Sequence, residues 1–423
     1  MSEWARRHLG DLLDIKHGYA FEGQHFSDVG RHRLITPGNF AEKEGFIDRG
    51  DKQKRYNGPV PKDYVLEPGA LIVAMMEQAE GLLGSSAIVP SGDTCPHNQR
   101  IGLVCLRRED AADKRFLYYV FNTKVVRDQI RASASGVKVR HTSPSRIKAV
   151  SVCIPAKATQ ERIASILSAY DDLIEVNRRR VAILEEIARR LFEEWFVHLR
   201  FPGHETVPVH DTPDGPLPDG WSFSALRKVA DVNGNSLRPA RAPDRIRYVD
   251  IASVSPGRIE QSEEFAFADA PGRARRLVKD GSVIWSTVRP NRRGYAIIFD
   301  PDPDLVVSTG FAVIDAREVP PSYLHAWLTT SSFVSYLVNH ATGAAYPAVT
   351  GATFERARVL VPHEATRTAY GEVSDPLLRL ADKLNRSNAR LASARDLLLP
   401  RLISGELSVT DAPAPERLLE AAD

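Results

Sequence analysis

The chain has few of the residues that build compact metal or redox sites. Its 423 residues include only three cysteines, Cys95, Cys105 and Cys153, and no Cys-x-x-Cys pair. The twelve histidines are scattered, without the His-x-x-x-His or His-Glu-x-x-His spacing that holds zinc. The sequence therefore predicts a reduced, cytoplasmic protein with no metal site and no disulfide framework.

Long apolar runs and a strong charge of one sign are also missing. No stretch approaches the roughly 20 apolar residues of a membrane span, and the polar start MSEWARRHLGD does not resemble a signal peptide. No membrane partner is expected. The formal net charge of +2 is nearly neutral, so any binding of nucleic acid must depend on local basic clusters.

Catalytic signatures are absent as well. The chain contains neither the Asn/Asp-Pro-Pro-Tyr/Phe nor the Phe-x-Gly-x-Gly motif of methyltransferases, and it lacks the Gly-x-x-x-x-Gly-Lys-Ser/Thr phosphate loop. No nuclease-like cluster stands out. These absences favour a protein that binds or positions other molecules over an enzyme.

What the chain does contain is an internal repeat. Residues 116–155 and 323–362 align without a gap at an offset of 207, although few residues are identical. The matched positions include Phe116 with Tyr323, Gly136 with Gly343 and Pro155 with Pro362. A period near half the chain is too long for a solenoid. It predicts two copies of one globular domain, related by pseudo-two-fold symmetry. The fold class predicted for each copy is α+β.

Each copy of the repeat is followed by a heptad pattern. In the first, apolar positions alternate at spacings of four and three at Ile163, Leu167, Tyr170, Ile174, Asn177, Val181, Leu184, Ala188, Leu191 and Trp195. The second runs through Leu377, Ala381, Leu384, Asn388, Leu391, Arg395, Leu398 and Leu402. Helices that pack only on their own domains are the alternative, but about five heptads favour an antiparallel coiled coil.

Nine seam residues are predicted to pair the helices: Ile174, Asn177, Val181, Leu184, Leu191, Leu384, Asn388, Leu391 and Leu398. An asparagine at a seam position lowers stability but fixes the register of the partner helix. Near the end of the first heptad run, Phe192, Trp195 and Phe196 form either a docking surface or a cap on the seam.

The pattern predicts a division into six segments. They are a first globular domain at 1–155, a spacer helix at 156–200, a linker at 201–220, a second globular domain at 221–362, a second spacer helix at 363–405 and a flexible tail at 406–423. The linker is predicted from its content of Pro, Gly and Asp. Within the first domain, the apolar pattern predicts one helix over about 114–132.

Several segments resemble the specificity subunits of type I restriction-modification systems. The run TQERIASILSAYDDLIEVNRRRVAILEEIARRLFEEWF at 159–196 is similar to their central conserved region, and RDLLLPRLISGEL at 395–407 to their C-terminal one. LGDLLDIKHGYAF at 9–21 resembles their start. The resemblance covers essentially the whole chain. One departure lies in HEATRTAY at 363–370, where Arg367 and Tyr370 replace residues equivalent to Gln160 and Ile163.

The resemblance implies a function. In this family each of two target-recognition domains reads one half of a bipartite site on double-stranded DNA, and the conserved helices space the domains. The partners implied are two modification subunits, which methylate adenine, and restriction subunits, which cleave DNA. The cofactors S-adenosylmethionine, ATP and magnesium are expected in those partners and none in this chain, which would catalyse nothing itself.

Basic and amide residues in both domains are the candidates for DNA contacts. In the first domain they are Lys52, Gln53, Lys54, Arg55, Gln78, Gln99, Lys138, Arg140 and His141. In the second they are Arg273, Arg275, Arg276, Arg289, Arg292, Arg293 and Tyr346. For any single residue the alternative is a solvated surface group. The loop at 342–346 lacks the positive charge of its counterpart in the first domain, so the two domains should read different sequences.

Three other interpretations stay open at this stage. The chain could be an enzyme with an unfamiliar site, which the missing motifs disfavour. It could be a coiled-coil scaffold without direct DNA readout, against which the basic clusters argue. It could also be the specificity subunit of a related bipartite-site system in which modification and cleavage are fused in one partner.

Overall fold

A computed structural model describes residues 4–42, 45–77, 81–92 and 95–409. The chain divides into two compact units, one formed by Met1–Glu175 with Ser387–Asp423 and the other by Val176–Arg386. Each unit contains one α+β domain together with one part of each of two long helices. Among the described helices, none is long and apolar enough to cross a membrane.

The domain of the first unit is built from short strands and three helices. Its strands are β1 (Ala5–His8), β2 (Leu13–His17), β3 (Phe26–Ser27), β4 (His32–Arg33), β5 (Arg55–Tyr56), β6 (Val65–Leu66), β7 (Leu71–Ala74), β8 (Met76–Glu77), β9 (Ser86–Ile88), β10 (Cys95–Pro96), β11 (Ile101–Leu106), β12 (Arg140–His141) and β13 (Ser151–Ile154). Its helices are α1 (Lys114–Asn122), α2 (Lys124–Ala132) and α3 (Pro144–Lys148), followed by the long helix α4 (Lys157–Phe192).

The domain of the second unit has a matching set of elements. Its strands are β14 (Val209–Thr212), β15 (Gly215–Pro218), β16 (Ser222–Ala225), β17 (Ala230–Val232), β18 (Arg245–Val249), β19 (Val254–Ser255), β20 (Arg258–Ile259), β21 (Glu263–Ala266), β22 (Ala274–Leu277), β23 (Ser282–Ser286), β24 (Tyr295–Ile298), β25 (Leu305–Ser308), β26 (Phe311–Ala316) and β27 (Arg358–Val361). Its helices are α5 (Leu226–Val229), α6 (Pro321–Thr329), α7 (Ser331–Asn339) and α8 (Gly351–Arg356), followed by the long helix α9 (Glu364–Ser404).

The two domains share one topology, which confirms the predicted repeat. The central antiparallel sheet has the strand order β2-β11-β7-β9 in the first domain and β17-β26-β23-β24 in the second. The entering strand pairs with the last one in both, as β1 with β13 and as β16 with β27. Helices α6 and α7 and strand β27 begin 207 residues after α1, α2 and β13. Equivalent helices and strands of the two domains are therefore separated by the same 207 residues as the aligned sequences.

The domains differ in the strands inserted around this shared frame. The first carries a three-stranded sheet, β3-β5-β4, and the second a four-stranded mixed sheet, β21-β18-β25-β22, in which β18 and β25 run parallel. The frame holds the apolar core, including Leu117 and Val120 in the first domain and Leu324 and Trp285 in the second. The inserted strands are therefore the part that can vary without changing the fold.

The single helix predicted over 114–132 is wrong, because the chain breaks it at Thr123. Thr123 is extended, with φ −70° and ψ 145°, and its hydroxyl accepts a hydrogen bond from the N–H of Val126. It therefore ends α1 and caps α2. Thr330 does the same for α7 in the second domain, with φ −60° and ψ 149°. The apolar pattern continues across the break, which hides it from a periodicity argument.

The first unit buries the beginning of α4 and the end of α9 in its core. Seam residues Ile163, Leu167 and Tyr170 of α4 lie in one apolar cluster with Leu398 and Leu402 of α9. Asp171 joins three elements, since it accepts a 2.5 Å hydrogen bond from the hydroxyl of Tyr119 in α1 and forms an ion pair with Arg395 in α9. The apolar seam of α4 therefore packs both against α9 and against the domain of the first unit.

In the second unit the two helices run antiparallel. The ring of Trp195 lies 5.9 Å from that of Tyr370, and seven residues back along the first helix Ala188 shares a cluster with Leu378. Residue numbers therefore fall along one helix as they rise along the other, which is the antiparallel arrangement. Of the residues predicted to pair the helices, the buried ones are Ile174, Asn177, Val181, Leu391 and Leu398, and the partly buried ones are Leu184, Leu191, Leu384 and Asn388.

The aromatic residues at the end of α4 belong to the core of the second unit. Helix α4 continues into a π-turn over Glu193–Val197, and Phe192, Trp195 and Phe196 are all buried. Phe196 packs edge-on against Tyr323 with ring centroids 4.7 Å apart. The docking-surface interpretation of these aromatics is therefore wrong, and the cap interpretation is supported.

The segment predicted as a linker at 201–220 is folded. It contains the hairpin of β14 and β15, closed at Thr212 and Gly215, and it buries Phe201 and Leu217 in the core of the second unit. The hydroxyl of Thr212 donates a 2.7 Å hydrogen bond to the carbonyl of Gly215. The chain turns at Pro213 and Asp214, and Gly215 follows with φ +99°. This Pro-Asp-Gly order is a turn signal, which the count of Pro, Gly and Asp residues alone does not reveal.

The departure at 363–370 changes how the second long helix is attached. In the first unit the buried amide of Gln160 accepts from the N–H of Asp113 at 3.0 Å and donates to the carbonyls of Ala111 and Pro155, both at 2.9 Å. In the second unit Arg367 is half-buried at the equivalent position. Helix α9 still begins at Glu364, 207 residues after Lys157, so the start of the helix does not depend on the glutamine.

Gln160→Ala should lower the stability of the first unit. The change leaves one buried N–H and two carbonyls without their partner, which costs about 2–3 kcal/mol of unfolding free energy. Arg367→Ala is the matched control at the equivalent position and should change stability by less than about 0.5 kcal/mol. Urea unfolding followed by circular dichroism measures both. Equal effects of the two substitutions would contradict the role assigned to Gln160.

Candidate nucleic-acid interface

A tight loop at one corner of the first domain carries three of the predicted DNA contacts. Ser135 and His141 close the loop through two backbone hydrogen bonds of 2.9 and 2.8 Å. Gly136 has φ +96°, and a Cβ there would lie 2.0 Å from the carbonyl oxygen of Val139, so glycine is needed. The loop presents the exposed Lys138 and His141 and the half-buried Arg140.

The second domain has the same corner, with different chemistry. Thr342 and Ala348 close the loop through two backbone hydrogen bonds of 2.9 Å, and Gly343 has φ +104°. Tyr346 is 68% exposed. The loop has no basic residue of its own, as predicted, but the guanidinium of Arg289 lies over the Tyr346 ring at 4.4 Å from its centroid. A neighbouring segment thus supplies the charge that the loop lacks.

The arginines at 289–293 form one short turn. A 3-10 turn spans Pro290–Arg292, and Arg289 and Arg293 on either side adopt left-handed φ values of +51° and +55°. Such conformations are unfavourable for residues other than glycine and are found at functional sites. Arg292 is exposed, whereas Arg293 is half-buried, 3.4 Å from the hydroxyl of Ser331.

The ring of Tyr295 supports the far side of this turn. It lies 5.3 Å from Trp285 and 5.9 Å from His325, measured between ring centroids. Burial lowers the pKa of His325 to about 4, so this imidazole is neutral at physiological pH. His325 therefore adds no positive charge next to the arginine turn.

The arginines at 273–276 lie on a different sheet. Arg273 is exposed beside β22. The guanidinium of Arg275 lies over the ring of Phe267 at 5.1 Å and donates to the carbonyl of Ala274, while Arg276 donates to the hydroxyl of Ser236 at 3.2 Å. Two of these three residues are therefore held against their own domain.

Ion pairs offset part of the basic cluster at 52–55. Lys52 and Lys54 are exposed, but Lys54 lies 3.5 Å from Asp28. Arg55 is half-buried and donates to the carbonyl of Gly30 at 3.1 Å. Of the two other glutamines predicted to contact DNA, Gln99 is exposed and Gln78 lies outside the described residues.

The comparisons with known proteins agree on one family. Residues 1–186 match the family model described as the type I restriction modification DNA specificity domain. The specificity subunit of the type I restriction enzyme MjaIX from Methanocaldococcus jannaschii is 24% identical over 311 residues, which cover 72% of this chain and 71% of that protein. The HindI specificity subunit from Haemophilus influenzae is 25% identical over 175 residues, 39% of this chain and 38% of that protein.

The fold carries the likeness through the second half of the chain. The crystal structure of the S subunit of a type I restriction-modification system from M. genitalium superposes with a TM-score of 0.61 at 14% identity, covering 95% of this chain and 96% of that one. Residues 1–186 therefore carry the type I DNA specificity domain, and the relative aligned over 72% of the chain is a type I specificity subunit. The resemblance drawn from the sequence motifs is thereby supported.

One predicted contact of this chain is wrong. The side chain of Gln53 is only 2% exposed. Its amide nitrogen donates to the carbonyl of Leu34 at 2.9 Å, and its oxygen accepts from the side chain of Asn39 at 2.6 Å. Gln53 therefore fastens the loops around β5 and does not face solvent. Its place between two exposed lysines suggested a surface residue.

Sequence reasoning missed Glu77, which shapes the loop next to the first corner. This buried carboxylate accepts the backbone N–H groups of Gly81, Leu82 and Leu83 at 3.2, 3.1 and 2.9 Å. Arg131 lies 3.8 Å from its other oxygen. A glutamate directly after a buried apolar strand was the available signal, because such a residue must find partners. Among the described residues, no group of three or more His, Cys, Asp or Glu side chains could hold a metal ion.

Gln53→Ala should destabilise the chain, because it removes two buried hydrogen bonds, one from the Asn39 side chain and one to the Leu34 carbonyl. The expected loss is about 1–3 kcal/mol of unfolding free energy. Lys52→Ala next to it, at an exposed position, should stay within about 0.5 kcal/mol of the parent. Urea unfolding compares the two. Unchanged stability in Gln53→Ala together with weaker DNA binding would restore Gln53 as a contact residue.

Proposed function

We propose that this chain recognises a DNA target of two separated halves, each read by one α+β domain. The observation that carries the proposal is the pair of equivalent corners. Both domains close the same loop on the same frame, at Ser135 and His141 and at Thr342 and Ala348. The side chains presented there differ. A shared frame with different surface groups is what two readers of different sequences require.

The two long helices support a role in spacing the readers. Each is continuous over 36 residues or more, as α4 over Lys157–Phe192 and α9 over Glu364–Ser404. At about 1.5 Å rise per residue, 36 residues extend roughly 54 Å. We propose that their length sets the number of unread base pairs between the two halves, much as dimer geometry sets half-site spacing.

The outer faces of the helices support the docking of partner subunits. On α4 the large apolar side chains Val176, Ile183 and Ile187 are exposed in one stripe, and on α9 Leu380 and Leu397 are exposed. Exposed apolar stripes on otherwise polar helices are typical of protein interfaces. We propose that two modification subunits bind there, and that restriction subunits join the complex through them.

The chemistry in this proposal belongs to the partners. The modification subunits would use S-adenosylmethionine to methylate adenine, and the restriction subunits would use ATP and magnesium. The specificity subunit would supply the target and the geometry. A partner in which modification and cleavage are fused would give the same DNA pattern, and identifying the proteins that copurify with the chain separates the two arrangements.

Mapping DNA methylation by single-molecule sequencing tests the proposal. Cells that express this chain with its methyltransferase partner should show a methyl-adenine motif of two short specified halves around a fixed gap, and cells without the chain should lack it. Replacing residues 1–155 with another recognition domain should change one half only. An active partner with no motif that depends on this chain would support the scaffold interpretation instead.

A further inference from the structure

The arginine at the corner of the second domain is held in one orientation by its surroundings. Its guanidinium lies over the Tyr346 ring at 4.4 Å, and one of its nitrogens donates to the carbonyl of Ala345 at 3.1 Å. Its backbone N–H donates to the carbonyl of Pro347 at 2.7 Å. Arg289 is therefore fixed at the backbone and at the side chain. A preorganised guanidinium loses less conformational entropy on binding than a free side chain.

Arg289 also differs from several other arginines of its unit, which form ion pairs with carboxylates. Several arginines of the second unit form ion pairs, among them Arg245 with Glu264, Arg247 with Asp302, Arg358 with Asp214 and Arg379 with Asp280. Within the ranges that the structure describes, no carboxylate pairs with Arg289. Its bond to Ala345 uses one N–H of the five that a guanidinium carries. The others are available to an acceptor from outside the chain.

The first domain places an arginine at the same corner from the opposite strand. Arg140 on the loop lies opposite Glu77 in the pairing of β12 with β8. The residue 207 positions after Arg140 is Pro347, and the residue opposite Pro347 is Arg289. The arginine thus stands on the loop side of this residue pair in the first domain and on the facing segment in the second. Two divergent copies therefore retain the charge at this corner although they carry it on different segments.

We propose that Arg289, held by Tyr346, is a base-reading residue of the second recognition domain, and that it recognises guanine in the major groove. This inference rests on the proposed function. Guanine presents two acceptors there, N7 and O6, at a spacing that a guanidinium matches with two parallel N–H bonds. A phosphate contact would need only charge, and the exposed Arg292 in the same turn already meets that need. Arg140 has the corresponding place in the first domain.

Arg289→Lys is the decisive substitution, because it keeps the positive charge but loses the planar two-bond geometry. In cells carrying the methyltransferase partner, we expect it to relax one guanine position in one half of the methylated motif. Discrimination at that position should fall roughly 5- to 150-fold, the equivalent of the about 1–3 kcal/mol of a two-bond contact. Arg140→Lys should affect the other half only.

Arg292→Ala is the matched control within the same turn. It should reduce methylation at all sites about equally, without changing the base preference, as expected for a phosphate contact. Circular dichroism and the thermal midpoint of each variant separate loss of recognition from loss of folding. A motif unchanged in Arg289→Lys, or a uniform decrease without relaxed specificity, overturns the inference while the proposed function stands. A parent chain on which no methylated motif depends overturns both.

Discussion

The structure depends on one constraint: each long helix has an apolar seam that it cannot bury alone. In the first unit the seam of α4 is covered by α9 and by the domain that precedes it, with Ile163, Leu167 and Leu402 in the same core. In the second unit α4 and α9 also contact each other, since the Tyr370 hydroxyl lies 3.5 Å from the Ala188 carbonyl. Domain and helices therefore share a core in each unit. The orientation of each recognition domain on its helices is set by packing and not by a flexible joint.

The same constraint explains which parts of the chain can change. Residues of the frame must keep the 207-residue offset, because α2 and α7, or β13 and β27, occupy equivalent places in equivalent cores. The corner loops contribute little to those cores. They keep the glycines, Gly136 and Gly343, that their left-handed conformation requires. The side chains between them differ in charge and size. The frame that gives stability and the loops that differ between the domains are therefore separate parts of the fold.

Much of this architecture could be predicted from the sequence. The repeat, the two helices and the family came from spacing and motifs, since heptads and a constant offset are imposed by packing along a regular helix. The structure differed where one side chain overrides a pattern. Thr123 interrupts an unbroken amphipathic run, and the turn at Pro213 and Asp214 folds a segment that has the composition of a linker. Neither effect changes the hydrophobic period.

The candidate site was less accessible to sequence reasoning. Clusters of basic residues pointed to candidate regions, but they could not show that Gln53 is buried or that Arg289 lies over Tyr346, 57 residues away in the chain. Such contacts follow from strand register. Register in turn follows from the whole sheet and not from the local sequence. The placement of the arginine on the loop side in one domain and on the facing segment in the other is visible only once both domains are folded.

Lengthening both helices by one heptad, next to Asn177 and Asn388, tests the account most directly. Seven residues preserve the seam and add about 10.5 Å, close to three base pairs of DNA at roughly 3.4 Å each. The methylated motif of the variant should keep both specified halves, with a gap longer by about three base pairs. An unchanged gap, or altered bases in either half, would contradict the claim that the helices set the distance between two independent readers.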